Sequence, residues 1–233
     1  MNFDSKYRYE RKFLANNLTQ KQVETIITLH PAMFSESFVS RHVNSLYLDT
    51  LNLNNYNDAV LGNNNRIKIR IRWYGELTGL IKKPMLEIKI KKSFANKKLS
   101  FPLKSFNIER IFKKENLQDL FARSNIPIEV KAGLSVLSPV LINRYKRRYF
   151  VSADSNFRIT QDSEVEYYCL LSHLSPFFQK SEPSRNIVIA ELKYALSNDD
   201  YANKISNHFP FRLSKNSKYV NGIELITLGR IFS

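Results

Sequence analysis

Cysteine is almost absent from this chain of 233 residues, Cys169 being the only one. A single thiol excludes a disulfide framework or a thiolate-held metal cluster and fits a reducing compartment. Glycine is nearly as scarce at six residues, and with eight prolines the composition excludes collagen-like and linker-dominated chains. No apolar run approaches the ~18 residues of a membrane-spanning helix. The opening MNFDSKYRYERKF has no apolar core of the kind a signal peptide carries. Neither GxGxxG nor GxxxxGK followed by Ser or Thr occurs, so a phosphate site here has to be built from side chains. There is no GxSxG elbow, and the histidines at 30, 42, 173 and 208 lack ligand spacing and read as structural or surface residues. Acidic residues number 21 against 36 basic ones, a net +15. With 43% hydrophobic and 24% charged residues the chain is an ordinary globular composition with an excess of cations. These features predict a soluble, cytoplasmic, basic protein with an acidic partner.

The charge is concentrated. Between Arg66 and Lys104 there are twelve Lys/Arg against two acids, Glu76 and Glu87, which is +10 of the total. Within Arg66-Ile67-Lys68-Ile69-Arg70-Ile71-Arg72-Trp73 every second residue is basic and the others are large and apolar. That is the period of a strand with Ile67, Ile69, Ile71 and Trp73 on one face and four cations on the other. Leu86, Ile88 and Ile90 alternate in the same way with Glu87, Lys89 and Lys91. So do Ile187, Ile189, Glu191 and Lys193 with Val188, Ala190, Leu192 and Tyr194, and Lys6, Arg8, Glu10 and Lys12 with Tyr7, Tyr9, Arg11 and Phe13. Cations in register on one face repel one another, and an anion between them turns repulsion into binding. A carboxylate among them screens its neighbours or holds a divalent metal.

Elsewhere the reading is strand with a few helices. Thr19-Gln20-Lys21-Gln22 has capping-box spacing and opens a helix carrying Val23, Ile26 and Ile27 that stops by Pro31. Residues 45–50, 141–152 and 157–160 read as strands. Residues 52–65 read as a helix or turn followed by a loop. Helical spacing covers 105–125 (Ile108, Ile111, Phe112, Leu117, Leu120, Phe121) and 199–208, ahead of Pro210. No repeat or Pro-rich break appears, so a single domain over 1–233 is expected.

Several segments, taken in order, resemble the VTC domain, the polyphosphate polymerase branch of the triphosphate tunnel metalloenzymes. Tyr9-Glu10-Arg11-Lys12-Phe13 resembles the opening strand, and Leu46-Tyr47-Leu48-Asp49-Thr50 the second. Arg70-Ile71-Arg72-Trp73-Tyr74-Gly75 is similar to the RxRWYG signature, Glu87-Ile88-Lys89 to an ExK strand, and Tyr145-Lys146-Arg147 to a YxR strand. Arg158-Ile159-Thr160-Gln161-Asp162 resembles the RxTxD strand, Glu191-Leu192-Lys193 the ELK strand, and Lys215-Asn216-Ser217-Lys218-Tyr219 the closing KxSKY motif. Hydrolases of the superfamily carry ExExK on the first strand. Here the segment reads Arg8-Tyr9-Glu10-Arg11-Lys12, which leans toward the VTC branch.

The resemblance implies an α+β, mainly β fold: a closed eight-stranded antiparallel β-barrel, the triphosphate tunnel, with peripheral helices. It implies an ATP-dependent polyphosphate polymerase that adds the γ-phosphoryl group to a growing chain. Lys12, Arg70, Arg72 and Lys218 are the implied catalytic residues. Lys89, Lys98, Tyr145, Arg147, Lys193, Lys215 and Ser217 are the implied substrate contacts, and Glu191 with Glu10 the metal ligands for Mn²⁺ or Mg²⁺. The partners are ATP or another triphosphate and inorganic polyphosphate, with a separate membrane protein a further candidate and nucleic acid not expected. The alternatives are a triphosphate hydrolase on the same fold and a non-catalytic module that binds polyphosphate or nucleic acid. Trp73 and most β-branched residues lie opposite the cations, which argues against stacking on nucleic-acid bases.

Overall fold

Strands dominate the architecture. The computed structural model describes residues 8–92, 95–170, 179–181 and 187–231. Among them are twelve strands: β1 (Arg8–Ala15), β2 (Ser35–Asp49), β3 (Asn65–Tyr74), β4 (Leu80–Ile81), β5 (Met85–Lys92), β6 (Ala95–Pro102), β7 (Phe106–Asn107), β8 (Ser138–Val151), β9 (Arg158–Cys169), β10 (Gln179–Ser181), β11 (Val188–Ala195) and β12 (Arg212–Leu213). The helices are α1 (Gln20–Thr28), α2 (Asn54–Val60), α3 (Lys114–Arg123), α4 (Ile128–Leu134), α5 (Asp199–Asn207) and α6 (Lys218–Ile231). Ten of the strands form one large antiparallel sheet, and β4 pairs with β7 in a second. Closure into a barrel is not among the pairings of the described residues. No described helix is long and apolar enough to cross a membrane. Lys6, Tyr7 and His173 lie outside the described residues.

The chain forms two compact units, Met1–Arg41 with Tyr145–Val165 and Pro183–Asn216, and His42–Arg144 with Glu166–Glu182 and Ser217–Ser233. In the first, β1 pairs with β12 on one side and β11 on the other, and β11 pairs with the opening half of β9. Alternation along β1 and β11 sends Phe13, Ala190 and Leu192 into an apolar core. Helices α1 and α5 complete that core with Val23, Ile27, Ala202 and Ile205. The Thr19 capping box forms as the spacing predicts, with the Thr19 side chain accepting from the Gln22 N–H. Strand β9 breaks the alternation, because Ile159 through Ser163 are all buried. Gln161 points to α1, donating to the Gln20 carbonyl at 2.9 Å, while Thr160 turns toward Glu191 on the other face.

In the second unit β3 lies between β2 and β5, and β5 pairs with β6. The register sets Ile69 opposite Ile88 and Ile71 opposite Leu86, stacking the apolar residues of three strands under α3. Trp73 closes this core and donates its indole N–H to the Glu76 carbonyl at 2.9 Å. Burying side chains of this size stabilises by roughly 1.5–3 kcal/mol each. Ile67 departs from the expected apolar face, since it is 38% exposed near the start of β3. The helical spacing read over 105–125 also resolves differently. Asn107 caps a single 3₁₀ turn at Ile108–Arg110, and α3 begins only at Lys114. Ile108 and Ile111 reach the core from that turn without a continuous helix.

Candidate functional site: two polar strand faces rich in cations

In the first unit the polar face is built by cross-strand register. Lys12 stands opposite Glu191, Glu10 opposite Lys193, and Glu191 opposite Thr160. Glu191, buried, is ringed by cations: Lys193 Nζ at 3.1 Å, Arg147 Nη2 at 3.5 Å and Lys12 Nζ at 3.7 Å. Lys12 also reaches Glu10 at 3.1 Å and donates to the Asn216 carbonyl at 3.1 Å. Arg147 is held most firmly of all. Its Nε and Nη2 donate to the two Asp162 oxygens at 2.6 and 2.7 Å, and its guanidinium lies 5.2 Å from the centre of the Tyr145 ring. Burial works against the charge on Arg147, but Asp162, Tyr145 and Glu191 outweigh it and push the guanidinium well above its ordinary value.

These contacts bring Lys12, Glu10, Glu191, Lys193 and Arg147 together. Tyr145 is only 1% exposed, beneath Arg147. Lys215 is exposed, one residue before Asn216, whose carbonyl meets Lys12. Asp162 and Thr160 were not assigned a role from the sequence. Their signal was the RxTxD segment, in which Asp162 supplies the bidentate partner of Arg147.

Among the described residues no group of three or more His, Cys, Asp or Glu is placed to cage a metal. Two carboxylates, Glu10 and Glu191, do share one ammonium, that of Lys12. A pair of oxygen donors suits a hard divalent cation that takes its remaining ligands from phosphates and water. The donor set therefore fits a hard divalent cation.

The second unit carries the larger excess of charge. Register places Lys68 opposite Lys89 and Lys89 opposite Lys98, while Arg70 faces Glu87. Like charges directly opposite one another destabilise a sheet, and here one carboxylate relieves them. Arg70 donates from Nε at 2.8 Å and Nη2 at 2.7 Å to one Glu87 oxygen, with Arg72 Nη1 at 3.6 Å from the same atom. Lys98 holds the other oxygen. Burial pushes the Glu87 carboxyl up, yet Arg70, Arg72 and Lys98 prevail and bring it down from 4.5 to about 2.

Lys68 donates to Ser217 Oγ at 2.7 Å, and Ser217 Oγ accepts the Val220 N–H at 3.4 Å, capping α6 one residue ahead of Lys218. Gly222 lets α6 approach its neighbours, since a Cβ there would fall 2.5 Å from Leu141 Cδ2 and 2.6 Å from Tyr167 Cδ1. Arg70, Arg72 and Lys98 thus converge on Glu87. Ser217 meets Lys68, a residue absent from the predicted site although its alternation was plain. Lys89 is exposed between Lys68 and Lys98. Tyr47, opposite Arg70, was missed because its hydroxyl, which accepts from Arg70 Nη1 at 3.4 Å, belongs to a strand that reads as apolar.

The sequence profile of the VTC domain family matches residues 7–227. The chain belongs to the VTC domain family. Solved structures with the same fold include a Vibrio parahaemolyticus protein described as a candidate adenylate cyclase. That protein is 10% identical, with 95% of this chain and 98% of that one covered at a TM-score of 0.51. The PH1819 protein of Pyrococcus horikoshii OT3 is 13% identical, with 95% and 99% covered, also at 0.51. No curated protein matches the sequence. At such identities the likeness is one of fold alone.

Proposed function

We propose that this VTC domain is a metal-dependent polyphosphate polymerase working in a closed cationic tunnel. The observation that carries the reading is the β3–β5–β6 face: Lys68, Arg70, Arg72, Lys89 and Lys98 share it with one carboxylate, Glu87. Five cations against one anion favour a ligand with several negative charges, such as a triphosphate.

Transfer of a phosphoryl group asks for positioning and charge neutralisation, not for covalent help from the protein. A terminal oxygen of the polyphosphate chain attacks the γ-phosphorus of ATP. The bond from that phosphorus to the bridging oxygen breaks, and ADP leaves with the electron pair. The attacking oxygen is already anionic, so no side chain has to take a proton. Arg70 and Arg72 orient and neutralise the nonbridging oxygens, Lys12 and Lys218 stabilise charge as it moves, and Lys89, Lys98, Lys193 and Lys215 hold the rest of the polyanion. Arg147 and Ser217 complete the substrate contacts, with Tyr145 packed beneath the Arg147 guanidinium. Glu191 with Glu10 would hold Mn²⁺ or Mg²⁺, which as a Lewis acid draws charge from the transferring phosphoryl.

Incubating the protein with ATP and Mn²⁺ and resolving the products on a gel stained for polyphosphate tests the reading. A ladder is expected. Release of orthophosphate without a ladder would overturn it in favour of a triphosphate hydrolase.

A further inference from the structure

Asp49 closes β2, is 0% exposed, and lies in neither of the carboxylate clusters above. Its Oδ1 accepts the N–H groups of Thr50 at 2.7 Å and Asn55 at 3.0 Å, and its Oδ2 accepts that of Tyr56 at 3.0 Å. These bonds tie the strand end to the first turn of α2. One more partner comes from far along the chain: the hydroxyl of Tyr219, 170 residues away, donates to Oδ2. Tyr219 is itself 2% exposed, in the first turn of α6. Its ring stacks on Tyr47 with centroids 4.8 Å apart and planes 23° from parallel, and Tyr56 meets it edge-on at 6.4 Å.

Two lines of contact lead from this buried pair to the cationic face. One runs along the backbone: Tyr219 follows Ser217, the partner of Lys68, and Lys218, whose charge is felt by the Tyr167 hydroxyl. The other runs through the stack, since Tyr47 presents its hydroxyl to Arg70. A carboxylate that takes four donors and is sealed from water fixes its partners more tightly than an exposed one. We propose that Asp49 is a positioning residue for polyanion binding: through Tyr219 it sets the stance of Ser217 and Lys218, and through the Tyr47 stack it steadies Arg70. The inference deepens the triphosphate reading of the same face and rests on it.

Calorimetric titration with inorganic tripolyphosphate tests it, using wild type, Tyr219→Phe, Lys218→Met and the double variant, all below their melting onset. Phenylalanine keeps the ring and its stack, so the fold is retained while the bond to Asp49 is lost. Tyr219→Phe should weaken binding about tenfold, and adding Lys218→Met to it should cost less than about twofold beyond Lys218→Met alone, the non-additivity of residues acting as a unit. Asp49→Asn, compared with the same cycle, should reproduce the loss. Independent, multiplying losses from Tyr219 and Lys218, or unchanged affinity in both Tyr219→Phe and Asp49→Asn, would overturn the positioning role while leaving the triphosphate site standing. Failure of the wild type to bind tripolyphosphate would overturn the site itself, and the inference with it.

Discussion

Replacing Glu87 by glutamine removes the one carboxylate among Arg70, Arg72 and Lys98 without changing the side chain's shape. The structure sets the magnitude. A fall from 4.5 to about 2 in the folded state corresponds to about 3 kcal/mol at ~1.4 kcal/mol per pH unit. Because the folded value lies below the unfolded one, this stabilisation is complete above pH 4.5. It is lost as the pH falls from 4.5 toward 2, where both states take up the proton. Glutamine has no such dependence. Urea unfolding followed by circular dichroism at pH 7, 5, 4, 3 and 2 should therefore find Glu87→Gln less stable by about 3 kcal/mol at pH 7, with the gap closing near pH 2. The other carboxylates titrate alike in both proteins and cancel in the difference. Tripolyphosphate should raise the melting temperature of the variant more than that of the wild type, since phosphate oxygens re-pair the three cations. Parallel pH curves for the two proteins, or a gap under about 1 kcal/mol at pH 7, would refute the view that Glu87 neutralises this face.

Further substitutions probe the remaining contacts. Asp162→Asn strands the buried Arg147 charge and should cost about 3–5 kcal/mol in chemical denaturation; a loss under about 1 kcal/mol would show that the pair is not needed. Gly222→Ala drives a methyl into Leu141 and Tyr167 and should destabilise by about 1–3 kcal/mol, read as a lowered urea midpoint. Arg70→Lys keeps the charge but loses the fork, so tripolyphosphate affinity by calorimetry should fall about tenfold; unchanged affinity would remove Arg70 from the ligand contacts.

Much of this was legible in the chain because several strands bury one face and leave the other polar. On β3 the alternation of Arg70 and Arg72 with Ile71 and Trp73 gives both the core and the cationic row, and the register with β5 follows it. Strand β9 was read only as far as Thr160 because both its faces are covered, and five consecutive buried residues carry no period. The opening half of β2 was missed for the opposite reason: Ser35 to Val39 are all exposed, so nothing in the pattern marks a face. Pairing information is harder still. The KxSKY and LYLDT segments were both recognised, yet nothing in either spacing states that Tyr219 donates to Asp49 across 170 residues. Arg147 reads as a phosphate fork, but its Nε and Nη2 are already engaged by Asp162, a partner that only the fold brings near.

Phosphorus NMR of the protein supplied with ATP and Mg²⁺ tests the central claim most directly, because mid-chain phosphates, terminal phosphates, ADP and orthophosphate resolve from one another. The account predicts a mid-chain resonance that grows in step with ADP, one phosphoryl incorporated for each ADP formed. Growth of ADP and orthophosphate with no mid-chain signal would contradict it.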